Sequence, residues 1–91
     1  MKTLAYHIKG KYVSSTQYAQ RIPHCLKEHL TVIMQYITKL STYVYIDYYP
    51  GAYKKIIVEI NNVPLYIWED CIKSGSQTYT NVLDGLYDIT K

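Results

Sequence analysis

From Pro23 onward, Leu26, Leu30, Ile33, Met34, Ile37 and Leu40 recur at steps of three and four residues, tracing one apolar stripe of an α-helix. Such a helix is marginal in water until its stripe is covered, so the rest of the chain must supply a matching apolar surface. Pro23 suits the first turn, where a missing N–H leaves nothing unpaired. A preceding turn with Tyr18, Ala19 and Ile22 either stands apart or joins the helix with Pro23 as a kink.

The covering surface is expected from the next stretch. Thr42 to Tyr49 and Tyr53 to Ile60 are rich in β-branched and aromatic residues, and Pro50-Gly51 between them reads as a turn. A two-residue loop would mix the two faces of the hairpin. The preferred register therefore has a three-residue loop, Pro50-Gly51-Ala52, with Val44 opposite Val58, Ile46 opposite Ile56, Asp47 opposite Lys55 and Tyr49 opposite Tyr53. It sorts Val44, Ile46, Ile56, Val58 and Ile60 onto one face, for the helix to cover. Tyr43, Tyr45, Asp47, Tyr49, Tyr53, Lys55, Ile57 and Glu59 fall on the other.

Leu4, Tyr6 and Ile8 alternate with Thr3, Ala5 and His7, which predicts a strand over residues 2–8. Gly10 marks a turn, Tyr12-Val13 a short return strand, and Ser14-Ser15-Thr16 a helix N-cap. Beyond the Asn61-Asn62 turn, the segment Pro64 to Ser74 fits either an edge strand through Trp68 or a helix ending at Gly75. Pro64 near the start, Gly75 past the end, and Leu65, Trp68 and Ile72 at helical spacing favour the helix. A last helix capped by Ser76 or Thr78 carries Tyr79, Val82, Leu83 and Leu86. The expectation is one α+β domain over residues 1–91: a small antiparallel sheet of three to four strands against a long amphipathic helix, with a further C-terminal helix. A ferredoxin-like plan would need residues 77–83 to be a strand.

Several classes of function lack their signatures. The four glycines are solitary, so there is neither a Walker loop nor a GxGxxG turn. No GxSxG elbow, HExxH pair or EF-hand loop occurs. Cys25 and His29, four apart on the long helix, share a face that with His24 or Cys71 could hold a metal, yet no carboxylate completes a set. Free thiols beside solvated histidines are the expected state, a Cys25–Cys71 bridge being the alternative. Glu69 and Asp70 are adjacent on the expected helix and diverge, which suits solvation better than acid–base work. No enzyme, cofactor or metal is expected. Without a run of about 20 apolar residues or an amino-terminal h-region, the chain is expected inside a cell, in the cytoplasm.

Two features point toward a binding role. Residues 1–27 hold Lys2, Lys9, Lys11, Arg21 and Lys27 with no carboxylate, so a net charge of +3 conceals a basic region. Twelve tyrosines with no phenylalanine place many rings at boundaries, because a phenol buries apolar area while its hydroxyl seeks a partner. Tyrosines alternating with lysine on a sheet face resemble the surfaces on which single-stranded nucleic acids stack. The expected nucleic-acid-binding residues are Lys2, Lys9, Lys11, Arg21, Tyr43, Tyr45, Tyr49, Lys54 and Lys55. The alternative is a protein-interaction or assembly module that buries the same rings against a second copy or a host protein. In its Tyr- and Ile-rich, Phe-free composition with a single arginine, the chain resembles small proteins of viruses infecting thermophilic archaea. That resemblance implies a host cytoplasm and transfers no functional residue.

Overall fold

The computed structural model describes residues 4–40 and 42–90. Its centre is a mixed sheet of seven strands, β1 (Leu4–Ile8), β2 (Lys11–Val13), β3 (Val44–Tyr49), β4 (Lys55–Ile60), β5 (Val63–Ile67), β6 (Ile72–Ser74) and β7 (Gln77–Tyr79). They lie in the order β2-β1-β3-β4-β5-β6-β7. Only β1 and β3 pair in parallel; every other neighbour is antiparallel. The parallel pair needs a crossover, supplied by α1 (Ser15–Arg21) and α2 (His24–Ile37). After the meander from β3 to β7, α3 (Val82–Ile89) packs against α2, β5, β6 and β7.

The seven strands correct the expected sheet of three to four, although the long amphipathic helix and the C-terminal helix are both present. The main reason lies in Pro64 to Ser74, which forms β5 and β6 instead of a helix. Leu65 and Ile67 alternate with Pro64 and Tyr66, and pairing β5 with β4 puts Leu65 beside Val58 and Ile67 beside Ile56, all fully buried. Pro64 is tolerated because its pair with Glu59 follows the bonded pair that closes a two-residue turn, so its nitrogen points away from β4. On that other side β6 has reached its last residue, Ser74, whose hydroxyl donates to the Pro64 carbonyl at 2.8 Å. Residues 77–79 likewise form β7 on Ile72–Ser74, so the last helix begins later than expected and is capped by Asn81, not Ser76 or Thr78.

The β3–β4 register differs from the expected one by two residues. Val44 faces Ile60, Ile46 faces Val58 and Tyr49 faces Lys55, which leaves a five-residue loop over 50–54. A shift of two keeps every side chain on its face. It also brings Tyr48 against Ile56 and lets β4 run to Ile60, directly before the tight Asn61-Asn62 turn.

All three helices cover one face. Leu26, Ile33 and Ile37 of α2, with Val82, Leu86 and Ile89 of α3, are buried on Val44, Ile46, Ile56, Val58, Ile60, Leu65 and Ile67. Pro23 is the N-cap of α2 and separates it from α1, so the two are distinct helices. α1 opens with a capping box in which Ser14 Oγ accepts from the Gln17 N–H and Gln17 Oε1 accepts from the Ser14 N–H, each at 3.2 Å. It lowers Tyr18 wholly into the core, ring centroid 5.1 Å from that of Tyr6. Among the described residues no helix lies on the opposite face of the sheet.

Candidate nucleic-acid interface

The pairing registers align one row across the helix-free face: Tyr12, His7, Asp47, Ile57, Tyr66, Lys73 and Thr78, one residue from each strand. Tyr45 and Glu59 form part of the next row toward the Asn61-Asn62 turn, and Tyr49 and Lys55 part of the next row the other way. The His7 ring stacks on Tyr45 at 4.2 Å between centroids and meets the edge of Tyr12 at 5.8 Å.

At the end where β1 and β3 finish, aromatic and cationic groups come together. Trp68 lies one step beyond the Ile56–Ile67 pair, which brings it beside Lys55. Lys55 Nζ is 5.4 Å from the centre of the Tyr49 ring and 5.9 Å from that of Trp68, while Trp68 and Tyr66 stack at 6.1 Å. The Lys9-Gly10 turn reaches the same end, where the Lys9 N–H donates to the Tyr48 carbonyl at 3.0 Å. The loop 50–54, with Lys54 and the highly exposed Tyr53, joins the strands there.

A carboxylate holds this arrangement. Asp47 is 1% exposed, on the helix-free face beneath the rings. Its Oδ1 accepts the Gly10 N–H at 3.3 Å and its Oδ2 the Tyr45 hydroxyl at 3.0 Å. Burial, reinforced by that hydrogen bond, pushes the Tyr45 phenol up to about 12. The negative charge of Asp47 raises Tyr49 as well. The Gly10 contact ties the basic hairpin tip to the sheet.

On the helix side of the same hairpin, Lys9, Lys11 and Arg21 line a cleft of about 460 Å³ between β2 and α1. Of the expected binding residues, then, Lys9, Lys11, Lys54, Lys55 and Tyr49 gather at one end of the sheet, with Arg21 joining through the cleft. Tyr45 lies toward the opposite end, paired with Glu59. Tyr43 lies at the far end with Glu59, lining a recess of about 230 Å³ with Asn61 and Asn62. Lys2 lies outside the described residues.

His7, Tyr12, Tyr66 and Trp68 were not among the expected residues, and Trp68 was hidden by reading its segment as a helix. Its chemical signal, the only tryptophan in the chain, was present throughout. Cys25 and Cys71 are free, half-buried thiols. His29 Nε2 instead lies 3.2 Å from the Glu69 carbonyl, linking α2 to the turn after β5. Among the described residues no group of three His, Cys, Asp or Glu side chains is placed to hold a metal ion, and no helix is long and apolar enough to cross a membrane.

No protein-family model, curated protein or solved structure matches the chain.

Proposed function

We propose that the protein is a non-enzymatic, intracellular nucleic-acid-binding protein that takes single strands at the β1/β3 end of its helix-free sheet face. The observation that carries this reading is Lys55 set between the Tyr49 and Trp68 rings, at the end reached by the Lys9-Gly10 turn and Lys54. Exposed ring faces stack bases of any sequence, contributing about 1–3 kcal/mol per base, and lysines neutralise the phosphates that follow. Tyr49, Trp68 and Tyr66 are the stacking groups; Lys9, Lys11, Arg21, Lys54 and Lys55 are the phosphate contacts. Sequence preference is expected to be slight.

Quenching of Trp68 fluorescence by a single-stranded oligonucleotide, titrated at several salt concentrations, tests the reading. Affinity should fall steeply with salt. Lys9→Ala with Lys11→Ala should flatten the slope of log K against log salt by roughly 1.4, two phosphates at about 0.7 each. Tyr49→Ala should weaken binding about tenfold. Absence of binding at low salt refutes the proposal.

A second reading is favoured by the other half of the face. There Tyr45 and Ile57 are half-buried and Glu59 is the neighbouring charge, a composition suited to a protein partner, either a second copy or a host protein. It requires a complex that survives high salt in size-exclusion chromatography.

A further inference from the structure

The cleft between β2 and α1 differs in kind from the aromatic cluster. It opens on the helix side of the sheet, because Ile8 and Val13 in its floor belong to the rows of Tyr48 and Ile46, which face the helices. Three cations, Lys9, Lys11 and Arg21, line a single concavity with no carboxylate among them. Two side-chain amides, Gln17 and Gln20, complete the wall. The Gln17 carbonyl oxygen is engaged by the Ser14 N–H, which leaves its NH₂ as the group available to a ligand. The lining is therefore a set of donors and positive charges over an apolar floor, at a volume within the roughly 300–1,000 Å³ range of small-molecule sites.

A groove that tracks a phosphodiester backbone distributes single cations along a line, since each internal phosphate carries one charge. Three cations around one recess match a group with nearly two negative charges, as a phosphomonoester has at neutral pH. The cleft also lies round the Lys9-Gly10 tip from Tyr49 and Trp68, where a strand lying on the open face would run out. We infer that this cleft binds a terminal phosphate of a nucleic-acid strand, with Arg21 and Lys11 as the discriminating contacts and Ile8 and Val13 beneath the terminal sugar. The inference rests on the nucleic-acid reading above and adds end recognition to it.

Unlabelled oligothymidylates bearing a 5′-phosphate, a 3′-phosphate or only hydroxyl ends, competing at fixed salt with a labelled strand, provide the test. One phosphorylated form should compete at least about tenfold better than the hydroxyl form. Lys11→Gln with Arg21→Gln should abolish that advantage, whereas Tyr49→Ala should weaken all three strands alike. These are exposed residues, so their replacement leaves the fold intact. Equal competition by the three strands overturns the inference while leaving the binding function standing. If no strand binds, the function itself fails, and a nucleoside 5′-monophosphate titration followed by amide chemical shifts decides the cleft separately. Shifts confined to β2 and α1 and lost in the Lys11/Arg21 variant sustain it as a phosphomonoester site; no shifts overturn it.

Discussion

Tyr18 shows what a tyrosine-rich, phenylalanine-free chain does to its own core. The ring is fully buried, and its hydroxyl has no hydrogen-bond partner among the described residues. Its phenol is driven far above the usual range by burial first, with the nearby Asp47 charge adding to it. A buried hydroxyl without a partner costs about 1–3 kcal/mol. Tyr18→Phe should accordingly raise the unfolding free energy by about 1 kcal/mol in urea titration, the ring packing on Tyr6 being retained. A loss of stability in that variant would mean that the hydroxyl is satisfied by a bound water. Asp47 presents the opposite case, a buried charge whose oxygens are used, and it sets the position of Gly10 and Tyr45.

Among the elements, the hairpins and α3 rest on backbone chemistry that particular residues allow. Lys9-Gly10 and Asn61-Asn62 each have positive φ at both positions, the pattern of a type I′ turn whose twist matches the strands it joins. α3 contains a glycine for a different reason. A Cβ on Gly85 would stand 2.8 Å from Leu65 Cδ1 and 3.3 Å from the Tyr79 ring. Leu65 is fully buried, so its methyls can give way only by disturbing the core around them. Alanine normally gains up to about 1 kcal/mol over glycine inside a helix. Here Gly85→Ala should instead lower stability by about 1 kcal/mol, because α3 must lift from β5 or displace Leu65. Thermal unfolding of the single variant measures the sign, and a gain in Tm would show that Leu65 has room to move.

At the scale of the molecule, the rings couple stability to alkaline pH. Tyr6, Tyr18, Tyr45, Tyr48, Tyr49 and Tyr79 all have phenol pKa values raised in the folded state, by burial, at Tyr49 by the charge of Asp47, and at Tyr79 by its hydrogen bond to Asp88. Above pH 10 the unfolded chain ionises these phenols while the folded chain retains the protons, so fewer protons are bound on unfolding and stability declines as pH rises. Stability should be independent of these groups below that pH. It should fall between pH 10 and about 12, the window set by Tyr45, with absorbance at 295 nm rising together with loss of structure. A tyrosinate titration complete before any unfolding would contradict this coupling.

The sequence by itself determined what depends on local periodicity. The stripe from Leu26 to Ile37 fixed α2, and the alternation from Val44 to Ile60 fixed which side chains face the helices, since a register error of two residues leaves a period of two unchanged. The hydroxyl cluster Ser14-Ser15-Thr16 made the start of α1 readable in the same way. Tertiary structure decided everything that depends on which strands become neighbours. Leu65, Trp68 and Ile72 satisfy a helical spacing and Leu65 and Ile67 a strand spacing; burial beside Val58 and Ile56 selected the strand and so extended the sheet by β5, β6 and, on them, β7. The same ladder carried Trp68 to Lys55 and Tyr49, and the crossover laid Arg21 beside Lys9 and Lys11. Those groups are distant along the chain, and the free energy that joins them comes from burying the apolar faces beneath, which no local pattern encodes.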